Sequence, residues 1–433
     1  MDFGDSPEEA AFRAEARAWL AENRPMELEA GLRRFAARDR SNVHLPELDG
    51  VDALQASKDW QRRKYDAGWA CVAWPREHGG RGASQIERVI WEQEEGIYAR
   101  LSHVFFTGIG MAGSTIMAHG TDAQKAAYLH PMASGEHLWC QMFSEPSGGS
   151  DVAGLLTRAE RQADGDWRLN GSKIWTTHAQ IADYGLLIAR TDPSVPKHKG
   201  LTMFILDMKS PGITVQPILQ MSGRSTFNQV HFDDVPLPDS ARIGPESQGW
   251  RVALTTLMNE RLLLGSTPST GVPELIDLCT RVSVGGRPAI EDSGVRASIA
   301  RWVAQSTGLK YAMMRSISDL SNGRPIGPEY SVGKLVANEL IQQVAQFAFD
   351  LQGPAGAMVE ESEELSQFMA VLLDSPSLRV GGGASEIQRN IIGEQVLGLP
   401  QEPRPDKDTP FNETGARQSR QSAGPDRGGN DGG

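Results

Sequence analysis

Hydroxyl side chains and glycines cluster in the stretch CQMFSEPSGGSDVAG at residues 140–154, where a short β-type run gives way to a turn. Ser144 and Ser150 supply hydroxyl groups, and the backbone N–H groups around Gly148 and Gly149 are not shielded by a side chain. Such a loop can approach a planar or phosphorylated ligand closely, because glycine has no Cβ and successive N–H groups attract anions. The same composition is also typical of a polar turn between domains, which is the more frequent explanation of so short a motif.

A second stretch, LNGSKIWTTHA at 169–179, combines an aromatic side chain with hydroxyl groups. Side chains alternate along a strand, so Trp175 and Thr177 are predicted to lie on one face. An aromatic plane beside a hydroxyl donor suits a flat heteroaromatic ligand, although a strand tryptophan more often serves ordinary packing. The dipeptide Asn170–Gly171 is typical of a two-residue hairpin and predicts a turn at that point.

Three consecutive glycines open the stretch RVGGGASEIQRN at 379–390, directly before a predicted helix. The flanking residues lack a Walker pattern and the dinucleotide-binding GxGxxG pattern, so a phosphate cradle is weakly supported. Close approach of a ligand to the backbone explains the glycines better.

The elements that must position these residues fall into four predicted segments. Residues 1–135 are mostly helical in pattern, and 136–245 consist of short β-rich runs. Residues 246–400 return to long amphipathic helices typical of a helical bundle. Residues 401–433 contain almost no large apolar side chain and are predicted to be a disordered tail.

Charge and cysteine content narrow the class of protein. The net charge of -12 and the pI near 5.3 argue against nucleic acid as a partner, because phosphate binding needs clustered Lys and Arg. The three cysteines, Cys71, Cys140 and Cys279, are widely spaced and form no CxxC, so neither a disulfide framework nor a metal site is predicted. The N-terminus lacks a leader pattern, and no apolar run is expected to approach the ~20 residues of a membrane span. We therefore expect a cytoplasmic protein with no membrane partner.

Taken together, the order helical, β, helical and the motifs resemble the acyl-CoA dehydrogenase family up to about residue 400. The stretches that carry this resemblance are FSEPSGGSDVAG, GSKIWTTHAQIADYGLLIAR, VHFDDVPLP with GPESQGW, MNERL, and GGASEIQRNIIGEQVLGLP. The resemblance implies an α+β multidomain fold, the acyl-CoA dehydrogenase fold. This fold has an N-terminal helical domain, a middle β-barrel-like domain and a C-terminal four-helix bundle.

The resemblance also implies FAD as cofactor, bound between the middle and C-terminal domains. The implied contacts to the isoalloxazine ring come from two segments, with Ser144 near the reactive edge of the ring and Ser150 also meeting the CoA thioester arm. These cofactor-binding residues are Gln141, Phe143, Ser144, Ser150, Trp175, Thr176 and Thr177.

Further flavin contacts in the family come from a neighbouring subunit, which implies a homodimer or homotetramer. The matching positions here are Gly353 and the segment Ala384 to Glu386. The usual Arg-x-Thr-Phe-Gly element that binds the diphosphate is not recognisable at 281–290, where the chain has RVSVGGRPAI.

The catalytic base is the point at which this chain departs from many members of the family. Their glutamate lies two residues before the position of Ala384, where this chain has Gly382. A second branch carries its base in a Glu-Arg pair on a C-terminal-domain helix, which corresponds to Glu260 and Arg261. The resemblance then implies Glu260 as base, Arg261 as a substrate contact and the Gly382 N–H as a donor to the thioester oxygen. The alternative for Glu260 is a solvated helix carboxylate paired with an arginine.

The implied activity is FAD-dependent α,β-dehydrogenation of an acyl-CoA thioester to trans-2-enoyl-CoA, as in fatty acid metabolism. Electrons would pass to an electron-transfer flavoprotein or a similar acceptor. Two alternatives stay open: a flavin oxidase or monooxygenase on the same fold, and a subunit of a mixed dehydrogenase assembly. Chain length and branching of the acyl group are not indicated by the sequence.

Overall fold

The computed structural model describes residues 5–39, 44–264, 270–321, 327–328, 330–358, 363–404 and 406–414. Its first part is helical. The helices of this N-terminal domain are α1 Pro7–Asn23, α2 Glu29–Arg38, α3 Ala53–Asp66, α4 Gln85–Glu95, α5 Gly113–His119 and α6 Asp122–Ala133.

Polar caps and apolar faces explain where these helices begin and how they pack. At the start of α1 the Ser6 hydroxyl accepts from the Glu9 N–H at 3.2 Å, and the Glu9 carboxylate accepts from the Ser6 N–H at 2.8 Å. This capping box pairs two N–H groups that the helix itself leaves free. The buried faces meet in an aromatic core, in which Trp69 stacks on Trp91 with ring centroids 4.6 Å apart.

Between α4 and α5 the chain stays helical through a 3-10 and a π-helical stretch, giving one span, Gln85–His119. By length and composition this is the one helix among the described residues that could cross a membrane. Half of its most apolar window is buried within the protein, and α4 packs against α1. Residues 101–119 of this helix contain no Asp, Glu, Lys or Arg, so the chain does have an apolar stretch close to the length of a membrane span, contrary to the expectation from the sequence.

The middle domain is a sheet of eight strands. They are β1 Trp139–Met142, β2 Arg158–Arg161, β3 Trp167–Thr177, β4 Tyr184–Arg190, β5 Leu201–Asp207, β6 Ile213–Pro217, β7 Phe227–Leu237 and β8 Arg242–Ile243. The order is β6-β7-β3-β2-β4-β5-β8, and β1 pairs in parallel with β4. The longest pairing, between β3 and β7, is antiparallel.

Both faces of β4 and β5 are buried, and each face has a different partner. Leu186 and Ile188 of β4 belong to the core shared with the N-terminal helices and the helix that follows the sheet. Leu187 of the same strand packs with Trp167 of β3 and Val230 of β7. Because strands of one sheet enclose this second core, the sheet must curve back on itself. This curvature is the barrel-like character that the resemblance implies.

The C-terminal domain is again helical. Its helices are α7 Gly249–Leu264, α8 Val272–Arg281, α9 Ser293–Ser321, α10 Tyr330–Leu351, α11 Glu363–Val380 and α12 Ser385–Ile391. Helices α8 to α11 share one apolar core, which includes Leu275, Trp302, Leu340 and Phe368. A short hairpin, β9 Ser283–Val284 with β10 Arg287–Pro288, separates α8 from α9.

Two further sequence-based expectations are corrected by the structure. Asn170 and Gly171 do not form a hairpin turn: they lie inside β3, where Gly171 has φ 138° and an added Cβ would come 2.7 Å from Thr157 Cα. The glycine permits close packing of neighbouring strands there. Residues 406–414 are not a free tail either, because Phe411 and Asn412 donate backbone hydrogen bonds to a loop of the middle domain.

A buried charge network joins all three domains. Asp39 follows α2, Arg224 lies in the loop between β6 and β7, and Asp374 belongs to α11. His44 Nδ1 lies 2.7 Å from the Asp39 carboxylate and 3.5 Å from that of Asp374. Asp39, His44 and Asp374 are close enough together to resemble a set of metal ligands. The Arg224 guanidinium, however, lies 3.1 Å from His44 Nδ1 and supplies the positive charge itself. The network therefore links the domains as an ion-pair cluster.

Candidate active site

The outer surface of β3 is shaped by a bulge. The pairing register between β3 and β7 shifts between Lys173 and Thr176, and Trp175 has φ 59°. A non-glycine residue with positive φ is uncommon and marks a local constraint. Trp175 is 54% exposed, and among the described residues its ring partner is Phe227, edge to face with centroids 6.1 Å apart. An aromatic surface is thus presented outward, with Thr176 buried and Thr177 half-buried beside it.

The loop that follows β1 lies directly beside this bulge. Ser144 O accepts a hydrogen bond of 2.9 Å from Ile174 N–H, so the loop is attached to β3 one residue before Trp175. Glu145 and Gly148 exchange two backbone hydrogen bonds of 3.0 Å around a tight turn. A Cβ added at Gly149 would lie 3.8 Å from Ser144 Oγ, which places this glycine over the hydroxyl. The structure therefore brings the two predicted segments together.

A buried ion pair supports both segments from beneath. Lys173 Nζ donates to Glu145 Oε1 at 2.8 Å and to Phe143 O at 3.2 Å. The Glu145 carboxylate also accepts from the N–H groups of Leu156 and Thr157, at 2.6 and 2.9 Å. Burial lowers the pKa of Lys173 to about 8, against the opposing effect of Glu145. The pKa of Glu145 is lowered because Lys173 and the hydrogen-bond donors together outweigh its desolvation.

Lys173 and Glu145 were not predicted as site residues, although both lie in the motifs quoted from the sequence. One indication was present in the strand pattern. Lys173 is in phase with Trp167 and Leu169, whose side chains face the core, so alternation alone predicts a buried lysine. A buried lysine needs a partner carboxylate or acceptor, and Glu145 is the acidic residue of the neighbouring loop.

Several polar atoms under the bulge lack a protein partner. Among the described residues, the buried Thr176 Oγ1, His178 Nε2 and Asn228 Oδ1 accept or donate no hydrogen bond. Burial lowers the pKa of His178 to about 4, so its ring is neutral at ordinary pH. An orphaned buried hydroxyl next to an exposed indole is an arrangement that a polar, planar ligand would complete.

The predicted flavin-binding residues of the β1 strand and loop differ in exposure. Phe143 is buried in the core shared with the helices, and Gln141 is half-buried in β1 with its backbone paired to Leu186. Ser150 is exposed. Its neighbour Asp151 forms an ion pair of 2.8 Å with Lys197 of the loop between β4 and β5.

The glycines that follow α11 adopt a left-handed turn. Gly382 and Gly383 have φ 66° and 96°, a region that residues with a Cβ rarely occupy. Their carbonyls accept from the Gln388 amide at 3.3 Å, and the Lys334 ammonium also donates to Gly383 O. In the described part of the chain no backbone carbonyl accepts from the Gly382 N–H. An N–H group without a backbone acceptor is one that a ligand can satisfy.

The remaining predicted contacts of the C-terminal domain lie at exposed ends. Ala384 is the residue before α12, and Glu386 in the first turn of that helix is exposed. Gly353 has φ 56° and is exposed, with no atom within 4 Å of an added Cβ. Gly353 and Glu386 are thus exposed and Ala384 is half-buried, and their contact with a flavin stays a prediction.

Helix α7 carries the predicted base. Thr256 Oγ1 lies 2.8 Å from Thr115 Oγ1, and Thr255 Oγ1 lies 2.8 Å from His119 Nε2, so α7 is fixed to α5. The side chains of Glu260 and Arg261, in the last turns of α7, lie outside the described residues. The structure thus fixes the helix and leaves the position of the Glu260 carboxylate as a prediction.

Three family models match the chain in sequence: "Acyl-CoA dehydrogenase, N-terminal domain" at residues 6–136, the middle domain at 140–235 and the C-terminal domain at 247–397. The chain is 33% identical over 399 residues to acyl-CoA dehydrogenase IpdE1 of Mycobacterium tuberculosis (strain ATCC 25618 / H37Rv), covering 90% of this chain and 98% of that protein.

Solved structures show the same architecture. The structure titled "ChsE4-ChsE5 complex from Mycobacterium tuberculosis" matches with a TM-score of 0.75 and 28% identity, over 93% of this chain and 100% of that one. The structure titled "Tcur3481-Tcur3483 steroid ACAD" matches with a TM-score of 0.76 and 26% identity, again over 93% and 100%.

Proposed function

The chain belongs to the acyl-CoA dehydrogenase family, and from this premise we propose that it is an FAD-dependent enzyme converting an acyl-CoA thioester to its trans-2-enoyl-CoA. The observation that carries the proposal is the joined unit of the Ser144 loop and the Trp175 bulge. It places the exposed Trp175 beside the loop of the half-buried Ser144, and the buried Thr176 Oγ1 next to Trp175 lacks a hydrogen-bond partner among the described residues. A flat heteroaromatic ring with polar edges is the ligand that such a surface fits.

FAD bound against this surface would accept the hydride from the β-carbon of the substrate and pass two electrons onward. The residues that would hold its ring are Gln141, Phe143, Ser144, Trp175, Thr176 and Thr177, and Gly353, Ala384 and Glu386 would contact the flavin of a neighbouring subunit.

The chain itself would move the proton and hold the thioester. In the proposal Glu260 takes the α-proton, and Arg261 contacts the substrate beside it. The Gly382 N–H donates to the thioester oxygen as negative charge develops there. A preorganised donor of this kind is worth about 3 to 4 kcal/mol in other enzymes. Ser150 would contact the CoA arm.

Substrate class, acceptor and location form the finer part of the proposal. We expect a bulky acyl group among the substrates, because one structural neighbour at 26% identity is titled a steroid ACAD. The expected acceptor is an electron-transfer flavoprotein. A cytoplasmic location fits the three free and buried cysteines, whose thiols need no oxidising compartment.

The test is anaerobic bleaching of the flavin absorbance by a panel of acyl-CoA thioesters, which should include straight, branched and ring-bearing acyl groups. We expect at least one thioester to reduce the holoenzyme, and Glu260→Gln to lower the reduction rate by about 10² to 10⁴. Glu402→Gln, at an exposed position, is the matched control and should react like the wild type. Full reduction of the Glu260→Gln variant at the wild-type rate would remove Glu260 from the role of base. Hydrogen peroxide formed stoichiometrically in air would instead indicate an oxidase.

A second candidate is a subunit of a mixed dehydrogenase assembly. Two observations favour it. The titles of the two solved structures described above each name a pair of different chains, and residues 283–288 form an exposed hairpin that lacks the diphosphate motif. Purification without yellow colour, followed by flavin retention on coexpression with a second family member, would support this candidate. A yellow, active homo-oligomer would exclude it.

A further inference from the structure

Residues 406–414 end in a segment that folds back onto the middle domain. Phe411 N–H donates to Val195 O and Asn412 N–H donates to Pro193 O, both at 2.9 Å. Pro410 also forms an isolated antiparallel bridge with Pro196. We call Pro410–Thr414 the C-terminal strap. It lies on the loop that joins β4 to β5.

The side chain of Phe411 covers a buried arginine. The guanidinium carbon of Arg190 lies 3.4 Å from the centroid of the Phe411 ring, and Arg190 is only 4% exposed. Guanidinium groups stack favourably on aromatic faces, and more so when water is excluded. Burial lowers the pKa of Arg190 to about 10, so the group stays charged at neutral pH.

Arg190 in turn holds the chain that follows Ser150. Its guanidinium donates to Ala153 O at 2.6 Å and to Leu155 O at 3.2 Å. A third hydrogen bond of 3.2 Å runs to Lys197 O in the loop under the strap. The Lys197 ammonium also joins this loop to the turn after Ser150, through an ion pair of 2.8 Å with Asp151. One arginine therefore links the 151–155 turn, the β4–β5 loop and the strap.

We propose that the C-terminal strap is an intrachain clamp, in which Phe411 acts through Arg190 as a positioning residue for the substrate-side turn after Ser150. This inference deepens the proposed function and rests on it where the CoA arm is concerned. The clamp holds the turn in one conformation. The turn has few apolar contacts of its own, since only Ala153 and Leu155 of residues 150–155 are buried. Release of the ring would let water reach the guanidinium and weaken its grip on Ala153 O and Leu155 O.

The test compares three full-length variants. Phe411→Ala removes the ring, Phe411→Tyr keeps it, and Asn412→Ala alters an exposed neighbour of the same strap. Amide hydrogen exchange is measured at residues 150–157 and 192–199. For Phe411→Ala we expect exchange there to speed up about 5- to 30-fold, the factor that corresponds to loss of a buried contact of this kind. Phe411→Tyr and Asn412→Ala should exchange like the wild type.

Steady-state kinetics with an acyl-CoA that reduces the wild type supply the second readout. We expect Phe411→Ala to raise KM about fivefold and to leave kcat within about twofold, because the strap touches no reacting atom. Unchanged exchange in Phe411→Ala would overturn the clamp whatever the activity. Faster exchange with an unchanged KM would overturn the substrate-positioning role. Failure of every acyl-CoA to reduce the wild-type flavin would refute the proposed function alone, since the exchange experiment needs no substrate.

Discussion

Replacing Lys173 by methionine is expected to be among the most damaging single substitutions in the middle domain. Lys173 and Glu145 are 0% and 3% exposed in their side chains and lie 2.8 Å apart. Methionine keeps the length of the side chain but leaves the Glu145 carboxylate buried without its cation. Breaking a buried ion pair by removing one partner costs about 3 to 5 kcal/mol, because the remaining charge is neither solvated nor paired.

The reverse change, Glu145→Gln, should cost less. The glutamine oxygen still accepts one of the two N–H bonds from Leu156 and Thr157, and burial already lowers the pKa of Lys173 to about 8. Without its partner the lysine can lose its proton at a moderate cost. In the double variant both charges are gone, so it should be no less stable than Lys173→Met alone. The coupling energy between the two sites is expected to be about 2 to 3 kcal/mol.

Urea unfolding followed by tryptophan fluorescence measures these free energies, and retained flavin absorbance after gel filtration reports the state of the site. The matched control is Arg158→Met, which breaks an exposed pair with Glu160 at 2.9 Å and should cost less than about 1 kcal/mol. Strictly additive losses in the double variant would show that the two side chains do not stabilise each other. Lys173→Met with wild-type stability would refute the reasoning from burial altogether.

Three further outcomes are expected. Gly382→Ala should destabilise the fold by about 1 to 2 kcal/mol in urea unfolding and lower kcat, because alanine resists the φ of 66° and its strain shifts the N–H donor. His178→Asn should flatten the pH dependence of stability, because the pKa of His178 is about 4 in the folded protein and 6.5 in the unfolded chain. The wild type therefore loses up to about 3 kcal/mol of stability as pH falls from 6.5 toward 4. Asparagine does not titrate and tolerates the φ of 60° at this position. Trp175→Ala should weaken FAD retention about tenfold, measured by fluorescence titration of the apoprotein, while Trp175→Phe should retain most of the affinity.

The helical part of the fold could be predicted because its signals are local. Ser6 and Glu9 form the capping box that their spacing indicates, and the amphipathic period of 330–352 corresponds to α10. The prediction of a hairpin turn at Asn170–Gly171 was wrong because the deciding contact is not local. The dipeptide has the dihedral freedom of a hairpin, but at Gly171 the chain packs closely against Thr157, which leads into β2, and the dihedral preference of two residues does not reveal such a contact.

The docking of the C-terminal strap was not predicted from the sequence for a related reason. Composition describes an average, and residues 401–433 have too few apolar side chains to form a core of their own. A segment needs no core of its own when a single ring can dock on another domain. Phe411 does this because Arg190 of the middle domain offers a flat cation on which the ring stacks, and Arg190 is buried with the ring in place. Arg190 lies 221 residues before Phe411 in the chain, so no local sequence pattern predicts their contact.

The turn at Gly382 bears on where the base can be. Two consecutive left-handed residues build this turn, and each would cost about 1 to 2 kcal/mol for a residue with a Cβ. An added Cβ at Gly383 would also lie 2.5 Å from the Gln388 amide that holds the turn. A glutamate at position 382 would therefore have to reshape the turn before it could act, whereas glycine adopts this backbone conformation without strain. The same backbone geometry that suits a thioester-binding donor thus disfavours a base at this position, and it supports the proposal that the carboxylate comes from α7.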